Sequence, residues 1–370
     1  MENFLKNQIR VNNNGYLTFH EFINFVLYHP EFGYYSRELQ KIGSGGDFYT
    51  SSNVSDIFGR TLGKWFVHIF RNFEVSETII ELGAGTGKIA HSILAVIKEI
   101  DEQLFSKLTY TLVETSGYHQ MKQKETLKDY DNVLFLNSLE EMNEVNGIVF
   151  SNEFFDAFPV HIIENKHDKL YELVVAVEND ALVEKFIPLQ NLNIIRFLQQ
   201  QNLLLDDGQR MEIPLAMEDY YHTLTSKIQK GLLLTIDYGY TKEEWSNQAH
   251  RLGSIRGYKQ HRMIADILKY PGEMDITTHI HWDLLRFCPK NLEMETVAFM
   301  PQNEFLISCG IFTEFNETAS LNPFSLEHKR NRAIRTLIEP GQISSYFKAL
   351  VQTKNIRSAS KSLFTPLVKK

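Results

Sequence analysis

Cysteine is almost missing from this 370-residue sequence. Its only two cysteines, Cys288 and Cys309, do not form a C-x-x-C pair, which indicates neither a disulfide framework nor a cysteine zinc site. No apolar run reaches the roughly 18 residues of a membrane span. The first residues, Met1 to Lys6, resemble neither a secretory signal nor an arginine-rich transit peptide. We therefore expect a protein of the reducing cytoplasm that does not contact a membrane.

Positive charge is also scarce, with 38 basic against 46 acidic residues and a net charge of -8. This balance argues against a nucleic-acid partner bound through its phosphates. A content of 43% hydrophobic and 23% charged residues is typical of a globular protein. The length allows one large α/β domain with insertions or two packed domains. The sequence does not indicate an oligomeric state.

The most informative stretch combines a short strand, an acid and three glycines on alternate positions. Thr78–Ile80 is β-branched and suits a buried strand, and Glu81 follows it. Gly83, Gly85 and Gly87 then precede a segment with helical apolar spacing. A strand, a glycine turn and a helix together place backbone N–H groups against a ligand.

Spacing separates the possible ligands of this turn. A dinucleotide fingerprint requires a third glycine where the chain has Lys88. A phosphate-binding P-loop requires glycine and a hydroxyl residue where the chain has Leu82 and Ile89. The pattern E-x-G-x-G-x-G instead resembles motif I of class I S-adenosylmethionine-dependent methyltransferases, which implies cofactor contacts at Glu81 and the three glycines. A turn without a ligand is the alternative, disfavoured because each glycine weakens local structure.

Strands and helices alternate after the turn. Tyr110–Glu114 reads as a second strand whose terminal acid, Glu114, lies where nucleoside-binding folds accept ribose hydroxyls. Val133–Leu136 reads as a third strand, and Asn137 after it is a candidate for the adenine edge. Gly147–Ser151 reads as a fourth. The order predicts an α/β fold with a Rossmann-like, mostly parallel, doubly wound sheet of seven strands, and a ligand where strands one and four are neighbours.

Other segments extend this pattern. Residues 1–75 are predicted as a helical extension with a glycine loop, including a capping box at Thr18 and Glu21, and residues 76–370 as the catalytic domain. Period-two alternation between 160 and 188 predicts a three-strand meander within an insertion at about 160–228. Residues 240–290 read as a lid of loops with a short helix. Two final strands are expected near 293–299 and 346–353.

The segment after the fourth strand carries the candidate chemistry. Glu153 and Asp156 are three residues apart and share a face if the segment is helical. If the methyl acceptor is an arginine, its guanidinium arrives charged, and two carboxylates could hold its fork and accept the released proton. Asn152 would orient the group through hydrogen bonds. The alternative for Asp156 is that it only caps a turn.

Several motifs occur in order along the chain: Tyr28-His29-Pro30, Gly33-Tyr34-Tyr35, Gly46–Thr50, Glu81–Gly87, Asn152–Pro159, Ile236–Gly239, Arg256–Tyr258 with His261, and Asp275–Thr277. Together they resemble the MidA-like methyltransferase family, which includes a mitochondrial complex I assembly factor that methylates a protein arginine. The resemblance covers roughly residues 16–353 and implies a class I methyltransferase with S-adenosylmethionine as methyl donor. It also implies that Gly46, Asp47 and Thr50 help to close the cofactor pocket.

The acceptor is predicted to be a protein side chain, with arginine favoured. Candidates for acceptor contacts are Asp237, Arg256, Tyr258 and His261. A metal site at Asp275, His279, His281 and Asp283 is disfavoured against packing roles, and none is predicted. A small-molecule nitrogen or oxygen acceptor, a non-catalytic cofactor-binding assembly factor and, less favoured, a nicotinamide oxidoreductase remain open.

Overall fold

The computed structural model describes residues 1–37, 56–287, 293–315, 322, 325–339, 341, 346–356 and 363–364. The strands are β1 Tyr16–Thr18, β2 Thr78–Leu82, β3 Thr109–Val113, β4 Val133–Leu136, β5 Val145–Asn152, β6 His161–Lys166, β7 Lys169–Glu178, β8 Ala181–Pro188, β9 Arg210–Ile213, β10 Ile228–Tyr240, β11 Arg256–Lys259, β12 Arg262–Ile264, β13 Asp275–Thr277, β14 Ile280–His281, β15 Glu295–Pro301 and β16 Phe347–Lys354. The α-helices are α1 Glu2–Val11, α2 Phe19–Tyr28, α3 Ile57–Asn72, α4 Lys88–Ile100, α5 Glu102–Lys107, α6 Gly117–Thr126, α7 Leu192–Gln200, α8 Leu215–Lys227, α9 Lys242–Trp245, α10 Trp282–Arg286, α11 Gln302–Ser308 and α12 Leu326–Ile338.

The chain forms two compact units, each assembled from separate segments. The sheet unit consists of Tyr49–Phe154, Thr223–Tyr238 and Cys288–Lys370. The meander unit consists of Met1–Phe48, Phe155–His222 and Gly239–Phe287. Among the helices that the structure describes, none is both long and apolar enough to cross a bilayer.

The sheet unit contains the parallel sheet that the sequence predicts. Its strands run in the order β15-β16-β10-β5-β2-β3-β4, with β10, β5, β2, β3 and β4 mutually parallel and β16 antiparallel to both of its neighbours. The predicted neighbours, strands one and four, are β2 and β5. The doubly wound α/β fold class is therefore confirmed, and the carboxyl ends of β2 and β5 mark its switch point.

The core of the sheet unit joins its strands to the helix before them. In α3 the buried residues Phe58, Leu62 and Phe66 recur at helical spacing. They belong to one apolar cluster with Ile79 of β2 and Phe150 of β5. Full burial of each such side chain contributes about 1.5–3 kcal/mol, so this packing anchors β2 and β5 to α3.

The meander unit contains the predicted hairpins and two strands that the sequence did not indicate. β6, β7 and β8 pair antiparallel, as expected, while β9 adds to β6 and β1 adds to β7. Thr18 and Glu21 form the predicted capping box. The helix begins at Phe19, directly after this cap, and residues Tyr16–Thr18 before it pair with β7.

The segment 240–290 is more regular than the predicted lid of loops. β11 pairs with both β12 and β13 in a small antiparallel sheet. The β11–β12 hairpin turns at Gln260 and His261, both with positive φ, as a tight hairpin turn requires. Neither residue type signals such a turn in the way that Asn-Gly does, which explains why the sequence did not reveal it.

Candidate active site

The glycine turn after β2 has the backbone conformation that its sequence predicts. Gly83, Gly85 and Gly87 have φ of 63°, 51° and 78°, in the left-handed region that glycine adopts without strain. Gly87 is the residue immediately before α4. A Cβ on Gly83 would lie 2.4 Å from Cδ2 of Phe154, so the turn also needs the missing side chain for space. At Gly83 the turn has room for the backbone but not for a side chain.

The Gly83→Ala variant is expected to unfold at lower temperature and to bind S-adenosylmethionine more weakly than the native protein. A left-handed non-glycine residue costs about 1–3 kcal/mol, and the Phe154 ring must shift as well. Gly117→Ala is the matched control, because Gly117 has open space around its Cβ position. Thermal unfolding and calorimetric titration measure both effects. Equal behaviour of the two variants would contradict the prediction.

Glu114 lies directly beside the glycine turn. It follows β3 and is 9% exposed. Its Oε2 accepts the Gly85 N–H at 3.2 Å, and its Oε1 accepts the Ser116 N–H at 2.9 Å. A carboxylate has about four acceptor positions, so sites remain for two further donors. The structure brings together the acid and the turn that the sequence assigned to one cofactor.

Gln123 of α6 is a residue of this site that the sequence analysis missed. Its Nε2 donates to the Gly85 carbonyl at 2.9 Å, which fixes the middle of the turn. Its Oε1 is buried and has no hydrogen-bond donor in the part of the chain that the structure describes. A buried acceptor without a donor costs about 1–3 kcal/mol. The left-handed glycines, the open acceptor positions of Glu114 and this oxygen fit an adenosine cofactor with hydroxyl and amino donors.

Glu81 and Asn137 are the other described residues that the sequence predicts to contact the cofactor. Glu81 is 2% exposed, and the Tyr110 hydroxyl donates to its Oε2 at 2.7 Å. Burial raises the pKa of Glu81 to about 8, so the uncharged acid predominates at neutral pH. The Asn137 amide donates to Glu141 at 2.8 Å and accepts from Gln120 at 3.0 Å. The adenine role of Asn137 stays a prediction, since reading a base would require exchange of these bonds.

The segment after β5 differs from the predicted helix. Glu153 has a φ of 52°, and only a 3₁₀ turn at Phe155–Ala157 follows. The expectation that helical spacing places Glu153 and Asp156 on one face is therefore wrong. The Glu153 N–H donates to the Ile236 carbonyl at 2.9 Å, so β10 turns the chain at this point. Asn152 donates from Nδ2 to Glu153 Oε1 at 3.2 Å, which agrees with an orienting role.

Asp237 of β10 supports the same turn. It is completely buried, and its Oδ2 accepts the Phe154 N–H at 3.2 Å. Its Oδ1 accepts the Tyr238 N–H at 2.9 Å. Substrate binding by Asp237 remains a prediction of the sequence, whereas these bonds give it a direct structural role in holding the backbone around Glu153.

The Asp237→Asn variant is expected to lower kcat by about 10²-fold and to leave the affinity for S-adenosylmethionine unchanged. The Phe154 and Tyr238 N–H groups bond to different oxygens of the carboxylate, and an amide places an NH₂ group at one of these two positions, so one of the bonds is lost. The turn then relaxes, and a displacement of about 1 Å at a catalytic group costs rate on this scale. Steady-state kinetics measure kcat, and a cofactor titration measures the affinity for S-adenosylmethionine. An unchanged kcat would refute the positioning role.

Asp156 lies in the meander unit with Arg256 and Tyr258. Asp156 is 5% exposed, and its backbone carbonyl accepts the Thr278 N–H at 2.9 Å. Burial raises the pKa of Tyr258, Arg256 lowers it, and Asp156 adds to the increase. The Arg256 guanidinium donates to the Ile255 carbonyl at 2.7 Å. These three predicted residues share one electrostatic environment.

The remaining predicted residues are distributed as follows. His261 lies exposed at the tip of the β11–β12 hairpin. The His281 Nε2–H donates to the Glu212 carbonyl at 2.7 Å, and His279 stacks on Tyr240 at 4.3 Å. Both histidines are thus engaged in packing. Gly46, Asp47 and Thr50 lie outside the described residues.

A parallel sheet with a glycine turn and a strand-end acid at its switch point defines a class I S-adenosylmethionine-dependent methyltransferase. Residues 61–299 match the model of a family described as "Putative S-adenosyl-L-methionine-dependent methyltransferase". The chain belongs to this family. Its cofactor is S-adenosylmethionine, and the predicted family and enzyme class are confirmed.

Named relatives and a solved structure agree with this assignment. The chain is 26% identical to "Protein arginine methyltransferase NDUFAF7, mitochondrial" of Danio rerio, over 90% of this chain and 82% of the relative. It is 26% identical to the homologue of that name in Caenorhabditis elegans, over 84% and 76%. A Burkholderia thailandensis crystal structure bound to S-adenosyl-homocysteine superposes with a TM-score of 0.84 at 26% identity, covering 95% of this chain and 91% of that one.

The cytoplasmic location expected from the sequence is corrected by these relatives. Both named relatives are described as mitochondrial, so the comparisons contradict the expected cytoplasmic location. The expectation rested on residue composition, including that of the first residues, and composition of this kind does not define a compartment.

Proposed function

We propose that this protein transfers methyl groups from S-adenosylmethionine to arginine side chains of a protein. The naming of its relatives as protein arginine methyltransferases supports a protein acceptor. The observation that carries the proposal is Glu153, a carboxylate held in a left-handed turn at the end of β5. The next residue, Phe154, packs against Gly83 of the cofactor turn. A carboxylate placed beside the cofactor turn suits a guanidinium.

We assign the cofactor contacts to residues at the carboxyl end of the parallel strands. Glu114 would accept the ribose hydroxyls, and the backbone of Gly83–Gly87 would line the cofactor site, with Gln123 supporting the turn. We retain Gly46, Asp47 and Thr50 as closing residues on the basis of the sequence. When bound, S-adenosylmethionine supplies an electrophilic methyl group on a sulfonium centre.

We assign the chemistry of the methyl acceptor to Glu153 and its neighbours. An arginine has a pKa above about 12 and arrives as a cation, so a carboxylate both binds and orients it. Glu153 holds the guanidinium and takes the proton that the nitrogen loses on methylation, while Asn152 fixes the Glu153 carboxylate. Asp156 is retained as a second carboxylate in this role, and Arg256, Tyr258 and His261 as acceptor contacts, from the sequence.

Methyl transfer into a cell lysate tests the proposal. The purified protein is incubated with radiolabelled S-adenosylmethionine and lysate from cells that lack this protein, and labelled products are identified by mass spectrometry. Label on arginine residues of a polypeptide is the expected result. Label on a small molecule would identify a different acceptor class, and a lack of transfer with intact cofactor binding would identify a non-catalytic assembly factor. Either result overturns the proposal.

A further inference from the structure

The meander unit contains a cavity of about 250 Å³. Four rings line it, together with one ammonium and one carboxylate: Tyr240, Trp245, His281, Phe287, Lys242 and Asp283. None of the described residues assigned above to the cofactor or to transfer lines this cavity. Pockets for drug-sized ligands measure about 300–1,000 Å³, so this one suits a single large side chain rather than a nucleotide cofactor.

The aromatic walls are preformed and uncharged. Trp245 is 1% exposed, with its ring edge-on to Tyr240 at 5.0 Å and stacked on His281 at 4.7 Å. His281 is held by its bond to the Glu212 carbonyl, and burial lowers its pKa to about 4, so the ring is neutral. The Trp245 Nε1–H is buried without an acceptor in the described part of the chain. Such walls favour an aromatic guest.

The charge of the cavity favours an anion beside that guest. The Asp283 carboxylate already accepts the backbone N–H of Lys242 at 2.6 Å and the Arg286 guanidinium at 3.0 Å. The ammonium of Lys242 pairs with no acid in the part of the chain that the structure describes. The cavity lining therefore includes a cation that an acidic group of a ligand can pair with.

Phe287 connects the cavity to the surface. This lining residue is 70% exposed, so its ring is accessible to a partner. Exposed aromatic rings beside a pocket are typical anchors of protein interfaces. We propose that this cavity docks the protein acceptor by taking one of its aromatic side chains, with an adjacent acidic residue paired to Lys242. This inference rests on the proposed function in that the acceptor is a protein.

Short peptides test the docking without any methyl transfer. Acetyl-Asp-Phe-amide, acetyl-Lys-Phe-amide and phenylacetate are titrated into the full-length ¹⁵N-labelled protein, and the indole resonance of Trp245 is followed by NMR. We expect the Asp-Phe peptide to shift this resonance and to bind more tightly than the other two. Lys242→Glu should lower the affinity for the Asp-Phe peptide by about five- to tenfold and raise the affinity for the Lys-Phe peptide. Phe287→Ala should lower the affinity for both peptides by a few-fold. The fold of this variant should stay intact, because the ring is exposed.

Lys185→Glu is the matched control, since Lys185 is an exposed lysine of β8 in the same unit. It should leave all affinities unchanged. The inference is overturned if no peptide shifts the Trp245 resonance, if Lys242→Glu and Lys185→Glu behave alike, or if phenylacetate binds as tightly as the Asp-Phe peptide. Because these titrations contain no cofactor, their failure is separate from a failure of arginine methylation in the lysate.

Discussion

The Glu153→Gln variant is expected to bind S-adenosylmethionine as the native protein does and to transfer methyl groups at least about 10²-fold more slowly. Glutamine has the shape of glutamate and can keep the bond from the Asn152 amide. It carries no charge and accepts no proton, so it neither pairs with a guanidinium nor removes its proton. Loss of a general base costs about 10²–10⁴ in rate, and loss of the ion pair adds to this.

Two measurements on the same preparation separate binding from transfer. Calorimetry gives the cofactor affinity, and radiolabel incorporation into the lysate acceptor gives the rate. Glu74→Gln is the control for a neutralised acid of the sheet unit, because the Glu74 side chain is 97% exposed. Undiminished transfer by Glu153→Gln with intact cofactor binding would falsify the assignment. Loss of cofactor affinity would instead show that Glu153 acts on the cofactor pocket.

The backbone at Glu153 explains both the importance of this residue and why the sequence did not show its geometry. A glutamate with φ of 52° is strained by about 1–3 kcal/mol. The bonds that hold it come from Ile236 and Asp237, more than eighty positions later in the chain. A local pattern of Asn-Glu-x-x-Asp cannot report contacts at that separation, so helical spacing was the natural but wrong expectation.

The conformation of the glycine turn was predictable, because it does not depend on residues that are distant in the chain. Its conformation depends on residue types that are themselves in the turn, since glycine alone adopts three left-handed positions without strain. Glu114 was predictable because the ends of neighbouring parallel strands lie at one edge of a sheet. Gln123 was not, because a glutamine in a helix is most often solvated, and only the packing of α6 against Gly87 shows that it is buried.

The division into two compact units could not be predicted from the sequence either, because no local signal marks the boundaries. Two of the changes from one unit to the other fall within a motif, between Phe154 and Phe155 and between Tyr238 and Gly239. Composition does not change at these positions, so no linker marks them. The period-two alternation from 160 onwards does mark the meander, because strand pairing there is local and β6, β7 and β8 are consecutive hairpins.

The stability of the cofactor-free protein is expected to fall as the pH rises from about 5 to 9, and Glu81→Gln is expected to remove most of this decrease. Burial raises the pKa of Glu81 from 4.5 to about 8, against the bond from Tyr110, which lowers it. Below pH 4.5 the folded and unfolded chains both hold this proton, so the stability is fully present. Between the two pKa values only the folded chain holds it, and the free energy of unfolding falls by about 1.4 kcal/mol per pH unit.

The decrease ends once the pH passes the folded pKa of about 8, where the loss from this one group approaches about 5 kcal/mol. Glutamine fits the same space, accepts from the Tyr110 hydroxyl and does not titrate, so the variant should be more stable than the native protein at pH 9 and similar to it at pH 5. Urea unfolding at pH 5, 7 and 9 measures this, with Glu74→Gln as the exposed control. Parallel pH profiles for the native protein and Glu81→Gln would show that Glu81 is already ionised in the folded state. A carboxylate ionised there without a cofactor would require a cation beside the glycine turn, because burial at 2% exposure otherwise favours the neutral acid.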